Sequence, residues 1–589
     1  MPSIDSPPTA VGCPIPSNTP HAVSVTLPSW AANVAYEEGE NWVASKMSSG
    51  YPRFFVHHRI QALSDEIESS YGREGEKSLI FPSYATACRC RDFIKRYSTL
   101  QPCPVRIVQL STPKPSEGQD DGSSIQAHIA VVFFPQSEYS VARKYWQHTG
   151  EGVSSRLGEY FLEHWGDNNP HNGGGNGANT SSGKGSYKDF HRRSSQSPVL
   201  EGLSENSNSN ADSNKEQSTF VEERFGRNLD LSFAPAAKLA LRRRIAGKIT
   251  ESGTSASRHG NFEELSEDDV YLYATGMTSI YSAHRAVLEA LGDGKKKSVC
   301  FGFPYTDTLK ILEKWGPGVH FYGNGEQPDL AALEKLLEDG EQIVALFCEF
   351  PSNPLLKSPD LVNIRRLADK YNFAVVVDET VGNFVNIHVL PYSDIVVSSL
   401  TKVFSGESNV MGGSLVLNPR GKHFKALKDT LGRQYEDNFW AEDAIYLERN
   451  SRDFAKRNEK ININTEAVTE LLRQSPIIKD LFYPKYVSTK EYYDTCRVDG
   501  GGYGGLFSIV FHNPQHAKNF FDRMVMAKGP SLGTNFTLSC PYTIIAHYLE
   551  LDFVEKFGVD RHLVRISVGL EETEELLERF RKGLEACVE

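Results

Sequence analysis

Residues 373–380 read Phe-Ala-Val-Val-Val-Asp-Glu-Thr, and residues 394–402 read Asp-Ile-Val-Val-Ser-Ser-Leu-Thr-Lys. Two short apolar, β-branched runs, 374–377 and 395–397, each end in polar residues. The first ends at Asp378; the second leads through Ser398 and Ser399 to Thr401 and Lys402. Continuous apolar runs of this length suit strands covered on both faces, as in a parallel sheet. Ligands of such sheets sit beyond the carboxyl ends of the strands, so a carboxylate and an amine there face one crevice. An Asp and a Lys 24 residues apart in this setting fit a pyridoxal phosphate site. The lysine would carry the cofactor as a Schiff base and the aspartate would pair with the pyridinium nitrogen. The bland alternative is that both residues simply mark strands returning to solvent.

The surrounding residues favour the first reading. Ser399 and Thr401 place two hydroxyls where they could hold a phosphate, and Gly406, Gly412 and Gly413 suit a tight turn into a further strand at 414–417. The segment resembles the lysine signature of the cysteine and methionine metabolism family of pyridoxal phosphate enzymes, in the form carried by fungal cystathionine γ-synthases. The resemblance extends over roughly 220–589.

That resemblance implies a fold-type-I α/β transferase with a mostly parallel central sheet, a smaller C-terminal α/β domain and an N-terminal extension. It implies pyridoxal 5′-phosphate as cofactor, attached to Lys402, with Asp378 on the ring nitrogen. The amides of Thr275-Gly276-Met277 hold the phosphate with help from Ser399 and Thr401. Tyr305 stacks on the ring and joins Lys402 as a catalytic residue. Asn353 of the Pro-x-Asn-Pro motif lies near the ring oxygen and the substrate. Arg565, in Arg565-Ile-Ser-Val-Gly-Leu-Glu571, grips the substrate carboxylate, and Ser531-Leu532-Gly533 lines the substrate cleft. The family's Tyr-x-Arg, which reaches the phosphate of a neighbouring subunit, is assigned to Phe225-Gly-Arg227, keeping the cation and losing the hydroxyl. Other departures are Asp378-Glu379-Thr380 for Asp-Asn-Thr, Gly406-Glu407-Ser408-Asn409 for Gly-His-Ser-Asp, and Phe536 after the Ser-Leu-Gly segment. The last two are expected to border the substrate cleft and set the nucleophile.

The implied activity is γ-replacement: an O-acyl-L-homoserine plus L-cysteine giving L-cystathionine. An O-acetylhomoserine sulfhydrylase, a cystathionine lyase or another γ-replacement enzyme of the family remain alternatives, as does a regulatory protein retaining the fold without turnover. Small amino-acid substrates and a homodimer or homotetramer with shared active sites are expected.

Composition sets outer bounds. The chain has 589 residues, 39% hydrophobic and 23% charged, with a formal net charge of −12. That balance argues against a chain built mainly to bind nucleic acid or anionic membrane. The 9 cysteines are scattered without a CxxC pair, so free thiols and no metal site are expected. With no apolar leader and no long apolar run, a cytoplasmic protein is expected.

Along the chain, residues 1–30 are Pro- and Ser-rich and read as an irregular arm. Residues 31–165 alternate helix and strand signals and read as an α/β domain to which no chemistry is assigned. Within it, His57-His58 reads as a surface pair and Arg89, Arg91, Lys95 and Arg96 as a solvated helix face. Residues 166–219 are Asn-, Gly- and Ser-rich and read as a disordered linker. The β–α alternation from 271 to about 417 is the doubly wound pattern. A catalytic domain is therefore placed at 220–462 and a C-terminal domain at 463–589. Because the boundary falls in a polar linker, the catalytic core is expected to fold without residues 1–215.

Overall fold

The computed structural model describes residues 10–114, 124–165, 229–247 and 264–587. Helix α1 (Trp30–Glu37) opens the chain's regular structure, followed by α2 (His58–Tyr71), β1 (Glu76–Phe81), α3 (Tyr84–Tyr97), β2 (Arg106–Ser111) and β3 (His128–Pro135). The three strands form an antiparallel sheet in the order β1-β3-β2, and α4 (Tyr139–Thr149) and α5 (Ser155–Trp165) complete the unit. Ser83 starts α3 by accepting a hydrogen bond from the Thr86 amide, the usual role of a serine at a helix N-cap.

Helix α6 (Ala234–Ile245) leads to β4 (Val270–Tyr273), α7 (Gly276–Leu291), β5 (Lys297–Phe301), α8 (Thr306–Lys314) and β6 (Val319–Tyr322). Then come β7 (Ile343–Glu349), α9 (Leu361–Tyr371), β8 (Ala374–Asp378), β9 (Ile395–Ser399) and β10 (Gly413–Leu417). Their sheet has the order β4-β10-β9-β8-β7-β5-β6, and β10 is antiparallel to both of its neighbours. The pairs β5/β6, β5/β7, β7/β8 and β8/β9 are parallel. The apolar runs quoted above are its centre: residues 374–377 and 395–398 are buried. Asn372, at φ 61°, ends α9 in the left-handed conformation that asparagine tolerates and turns the chain straight into β8.

Helices α10 (Ala441–Asn450) and α11 (Phe454–Arg473) follow. α11 runs unbroken across residues 462 and 463, so it links the second and third units where the sequence suggested a division. The third unit holds β11 (Ile478–Phe482), β12 (Leu506–Phe511), β13 (Ala527–Lys528), β14 (Leu538–Cys540) and β15 (Val564–Ser567), in the order β11-β12-β15-β14-β13. Helix α12 (Tyr542–His547) follows β14, and α13 (Thr573–Ala586) closes the chain. Among the described residues, no helix is long and apolar enough to cross a membrane.

The first unit does not stand apart. Leu63, Phe133 and Phe161 share one buried cluster with Leu231, Ala234 and Ala237 of the α6 region and with Ala441 and Ile445 of α10. Phe93 of α3 stacks on Trp315 at 4.8 Å. Arg156 of α5 donates to Asp443 of α10 at 2.9 Å, with both side chains buried. The stretch before α1 is packed as well: Ile15, Val23, Val25 and Leu27 are buried, and Leu27 donates its amide to the Lys528 carbonyl at the edge strand β13. Trp30 donates its amide to Asp522 and stacks on His562. The expectation of few contacts between the catalytic core and residues 1–215 is therefore corrected. The linker is polar, but the faces it connects are apolar and buried against each other.

Arg156→Ala should destabilise the protein by roughly 3–5 kcal/mol in urea unfolding, because it leaves Asp443 buried without its cation. A loss within about 0.5 kcal/mol, the level of an ordinary surface substitution, would mean that the two units do not depend on this pair.

Candidate active site

Three neighbouring parallel strands bring their carboxyl ends to one cavity, which is lined by Glu349 of β7, Asp378 of β8 and Ser399 of β9. Lys402 lies in the turn after β9, buried, with its Nζ donating to the Tyr51 hydroxyl at 2.9 Å and to the Ser531 hydroxyl at 3.4 Å. Arg457 of α11 holds the chain after the lysine, donating to the carbonyls of Val403 at 3.0 Å and Phe404 at 2.9 Å. Withdrawal from water raises the Tyr51 hydroxyl's pKa, but the Lys402 ammonium and its hydrogen bond outweigh this and leave it below its ordinary value. Tyr305 is pushed up instead, by burial and then by its neighbour Tyr51.

Behind Tyr305 the same N-terminal segment supplies Arg53. Its guanidinium forms an ion pair with the fully buried Asp307 and lies 5.3 Å from the Tyr305 ring centre. His148 of α4 completes the group, its Nδ1 lying 2.8 Å from Asp307 Oδ1. Burial alone would raise Asp307; Arg53 and His148 together hold it below the usual carboxylate value.

The helix start at Thr275-Gly276-Met277 meets the end of β9. The Thr275 hydroxyl accepts from the Thr278 amide at 3.1 Å and so caps α7. A Cβ on Gly276 would sit 2.6 Å from the Ser399 Cβ, and one on Gly413 would sit 2.2 Å from the Thr275 carbonyl oxygen. Glycine at both positions lets the helix N-terminus press against the strand ends. First-turn amides have no intrahelical partner, so those of Gly276 and Met277 can receive an anion at the positive end of the helix. The Ser399 side chain lines the same space, whereas the Thr401 hydroxyl is engaged with the Gly412 backbone and braces the turn.

On the opposite side, Arg565 of β15 is buried and splayed between fixed acceptors. It donates to Asn353 Oδ1 at 3.1 Å and to the carbonyls of Pro530 at 3.1 Å and Ser531 at 2.8 Å, with Tyr542 4.7 Å beneath it. Asn353 also donates to the Tyr542 hydroxyl at 3.3 Å. Leu532 lines the cavity. Asp378 accepts from the Thr380 amide at 2.9 Å and is partly exposed to the cavity, and burial raises its pKa. An anion site at a helix start, a carboxylate across the floor, an aromatic ring and a lysine amine in one pocket fit a phosphorylated pyridine cofactor. The donor set therefore suits pyridoxal 5′-phosphate on an observation independent of the motifs.

Thr275, Gly276, Met277, Tyr305, Asn353, Asp378, Ser399, Thr401, Lys402, Leu532 and Arg565 all line this cavity, and Ser531 reaches it through Lys402. Arg227 lies outside the described residues. Tyr51 and Arg53 were not anticipated, although Tyr51-Pro52-Arg53 carries the Tyr-x-Arg spacing that the sequence reading gave to residues 225–227. Two expectations are corrected. Glu407, Asn409 and Phe536 do not line the cavity. Asn535 donates to Glu407, Asn450 donates to Asn409, and Phe536 packs with Ile15, Ala527 and Leu538. Ser408 accepts the Val23 amide at 2.9 Å, so these positions seat the N-terminal arm. His57 is not a surface residue either. It lines the cavity with its Nε2 3.0 Å from the Pro20 carbonyl, and burial followed by its histidine neighbours pushes its pKa down to about 4.

Residues 261–585 match the family described as Cys/Met metabolism PLP-dependent enzyme, and residues 59–154 match the fungal trans-sulfuration enzyme N-terminal domain. The chain is 45% identical to a cystathionine gamma-synthase of Neurospora crassa, covering 99% of each chain. It is 42% identical to a cystathionine gamma-synthase of Saccharomyces cerevisiae, covering 98% of this chain and 99% of that one. A solved cystathionine gamma synthase from Xanthomonas oryzae pv. oryzae superposes with a TM-score of 0.49 at 22% identity, covering 60% of this chain and 98% of that one.

Borohydride treatment of the protein with bound pyridoxal 5′-phosphate should place the pyridoxyl label on Lys402 in peptide mapping. A label on any other lysine would reject the assignment. Tyr51→Phe deletes one hydrogen bond from a charged group, about 1.5–3 kcal/mol. Turnover is therefore expected to fall at least about tenfold with the label still on Lys402. Wild-type turnover would make the contact incidental.

Proposed function

From the premise that the chain belongs to the Cys/Met metabolism PLP-dependent enzymes, we propose that it is a cystathionine γ-synthase. Its substrates are an O-acyl-L-homoserine and L-cysteine, and its product is L-cystathionine. In the overall change a Cγ–O bond of the ester breaks and a Cγ–S bond forms. The thiol proton balances the carboxylate released. The convergence of Lys402, Asp378 and Arg565 on one cavity carries this reading. Likeness to curated cystathionine gamma-synthases along nearly the whole chain supports the choice of reaction.

Pyridoxal 5′-phosphate, when bound, supplies a sink for the electrons left behind when a proton leaves Cα. The amides of Gly276 and Met277, with Ser399, would hold its phosphate, and Tyr305 would lie against its ring. Asp378 would keep a proton on the ring nitrogen. Arg565, held by Asn353 and two carbonyls, keeps a positive charge at a fixed place for the substrate carboxylate and so helps set the direction of the Cα–H bond. The Lys402 amine takes that proton, and the Tyr51 hydroxyl 2.9 Å away gives the amine a fixed partner between transfers.

Tyr51 and Arg53 bring to the cavity, from this chain, a tyrosine and an arginine with the Tyr-x-Arg spacing, so this pair reaches the site in cis. The chain is proposed to assemble as a homodimer or homotetramer with shared active sites and to work in the cytoplasm. Selection of the nucleophile is assigned to the wall built by the N-terminal segment, where Phe54, Phe55 and Trp146 face the cavity.

Supplied with O-acetyl- or O-succinyl-L-homoserine and L-cysteine, the enzyme should form cystathionine, and it should release 2-oxobutanoate slowly from the ester alone. Rapid use of sulfide without cystathionine would reassign it as a sulfhydrylase, and cleavage of cystathionine as the main activity would make it a lyase. Asp378→Asn should bind cofactor yet lose at least about tenfold in rate, the equivalent of one charge-assisted hydrogen bond. Near-normal turnover would place the ring partner elsewhere.

A further inference from the structure

One buried carboxyl at this site has no part in the reaction as described. Glu349 is the last residue of β7 and Asp378 the last of β8, and the two are register partners on adjacent parallel strands. In-register neighbours on parallel strands direct their side chains to the same face, with backbones about 4.8 Å apart. The two carboxyls therefore share one side of the sheet end, and both line the cavity.

Glu349 is fully engaged by backbone. One oxygen accepts from the amide of Tyr305, and the other accepts from the amide of Asn353 at 3.0 Å. Tyr305 covers the cofactor side of the cavity, and Asn353 is the acceptor that fixes Arg565 on the substrate side. A single carboxyl thus sets the position of both walls relative to each other. The groups around it are Asp378 on β8, Cys300 on β5, Cys348 on β7, and Tyr542 at the start of α12. Two cations, Arg565 and Arg53, act on Tyr542 in this network; Arg565 donates to Asn353, Pro530 and Ser531, and Arg53 is paired with Asp307. Asp378 must carry the charge if it is to hold a protonated ring nitrogen, and a second anion one strand away would oppose it.

We infer that Glu349 is a positioning residue that fixes Tyr305 and Asn353 from one carboxyl and stays uncharged so that Asp378 alone is ionised. Burial and then the charge of Asp378 push Glu349 up to about 8, while the two backbone bonds pull the other way. An unfolded glutamate titrates near 4.5. Between these values the native state holds a proton that the unfolded chain has released, so stability from this group falls as pH rises through that window.

The inference rests on the placement of Asp378 beside the bound ring, and its main readout is independent of the product formed. Holoenzyme is prepared as wild type, Glu349→Gln and Glu349→Ala, and unfolding midpoints are compared from about pH 5 to about pH 8 together with kcat/KM profiles. Gln is uncharged, and its carbonyl oxygen can keep one of the two amides while its NH2 cannot accept from the other. It should retain more kcat/KM than Ala near neutrality and should flatten the fall in midpoint across this range. Ala removes both anchors and should lower kcat/KM by about tenfold or more with cofactor still bound. A Gln variant with the wild-type slope of midpoint against pH would overturn the uncharged state, as would one as impaired as Ala. An Ala variant with wild-type kcat/KM would overturn the positioning role. If the Ala variant does not fold, the slope of the Gln variant still decides the matter. A product other than cystathionine would change the reaction assigned and leave this measurement untouched.

Discussion

An ammonium group buried at the end of a strand needs a partner, and Lys402 finds one 351 positions away in the chain, at Tyr51. Each charge taken from water into a protein interior costs several kcal/mol unless a partner or a good set of hydrogen bonds offsets it. That requirement repeats around the cavity. Arg53 is held by Asp307, and Arg565 by Asn353 and two carbonyls. These ties join the N-terminal segment, the seven-stranded sheet and the C-terminal sheet. The arrangement of the three units is, to that extent, a solution to the problem of keeping ionised groups in a dry cleft.

The N-terminal arm is held by the same logic from outside. Ser408 accepts the Val23 amide, Lys528 accepts the Leu27 amide, and Phe536 packs against Ile15. Two of the places where the sequence departs from the family's usual motifs are thus contact points for the arm. A glutamate-for-histidine or phenylalanine-for-glutamate difference looks, in sequence, like a change of substrate cleft. In three dimensions it is a change in what covers the cleft. The unit at 58–165 then closes the remaining side, with Gly150 against the start of α7 and His148 on Asp307.

The catalytic sheet was legible because its strands are continuous β-branched runs with buried faces on both sides. Residues 270–273 and 374–378 are strands as the pattern requires. Most motif residues that line the cavity were legible because they sit at or just after the end of such a strand or at a helix start, whereas Asn353 and Arg565 were legible only through their motifs. What was not legible is long-range. β6 (Val319–Tyr322) is only half-buried and lacks the apolar signal, and β2 and β11 are similarly weak. Tyr51-Pro52-Arg53 lies in a stretch with no periodicity, and its spacing gains meaning only once the arm is seen folded over Lys402. The pairing of Glu349 with Asp378 depends on strand register, which the sequence does not announce. A polar linker marks a chain boundary, yet it says nothing about whether the faces on either side of it are apolar.

The N-terminal segment delivers Tyr51 and Arg53 to the cavity around Lys402 of its own chain. Co-expressing an Arg53→Ala chain with a Lys402→Ala chain, with mixed assemblies isolated by two affinity tags, tests this directly. If Arg53 acts in cis, every cavity in the mixture lacks one of the two groups, and the isolated assemblies should be no more active than either variant alone. Recovery of activity in the mixed assemblies would show that the segment crosses to a neighbouring chain and would contradict delivery in cis.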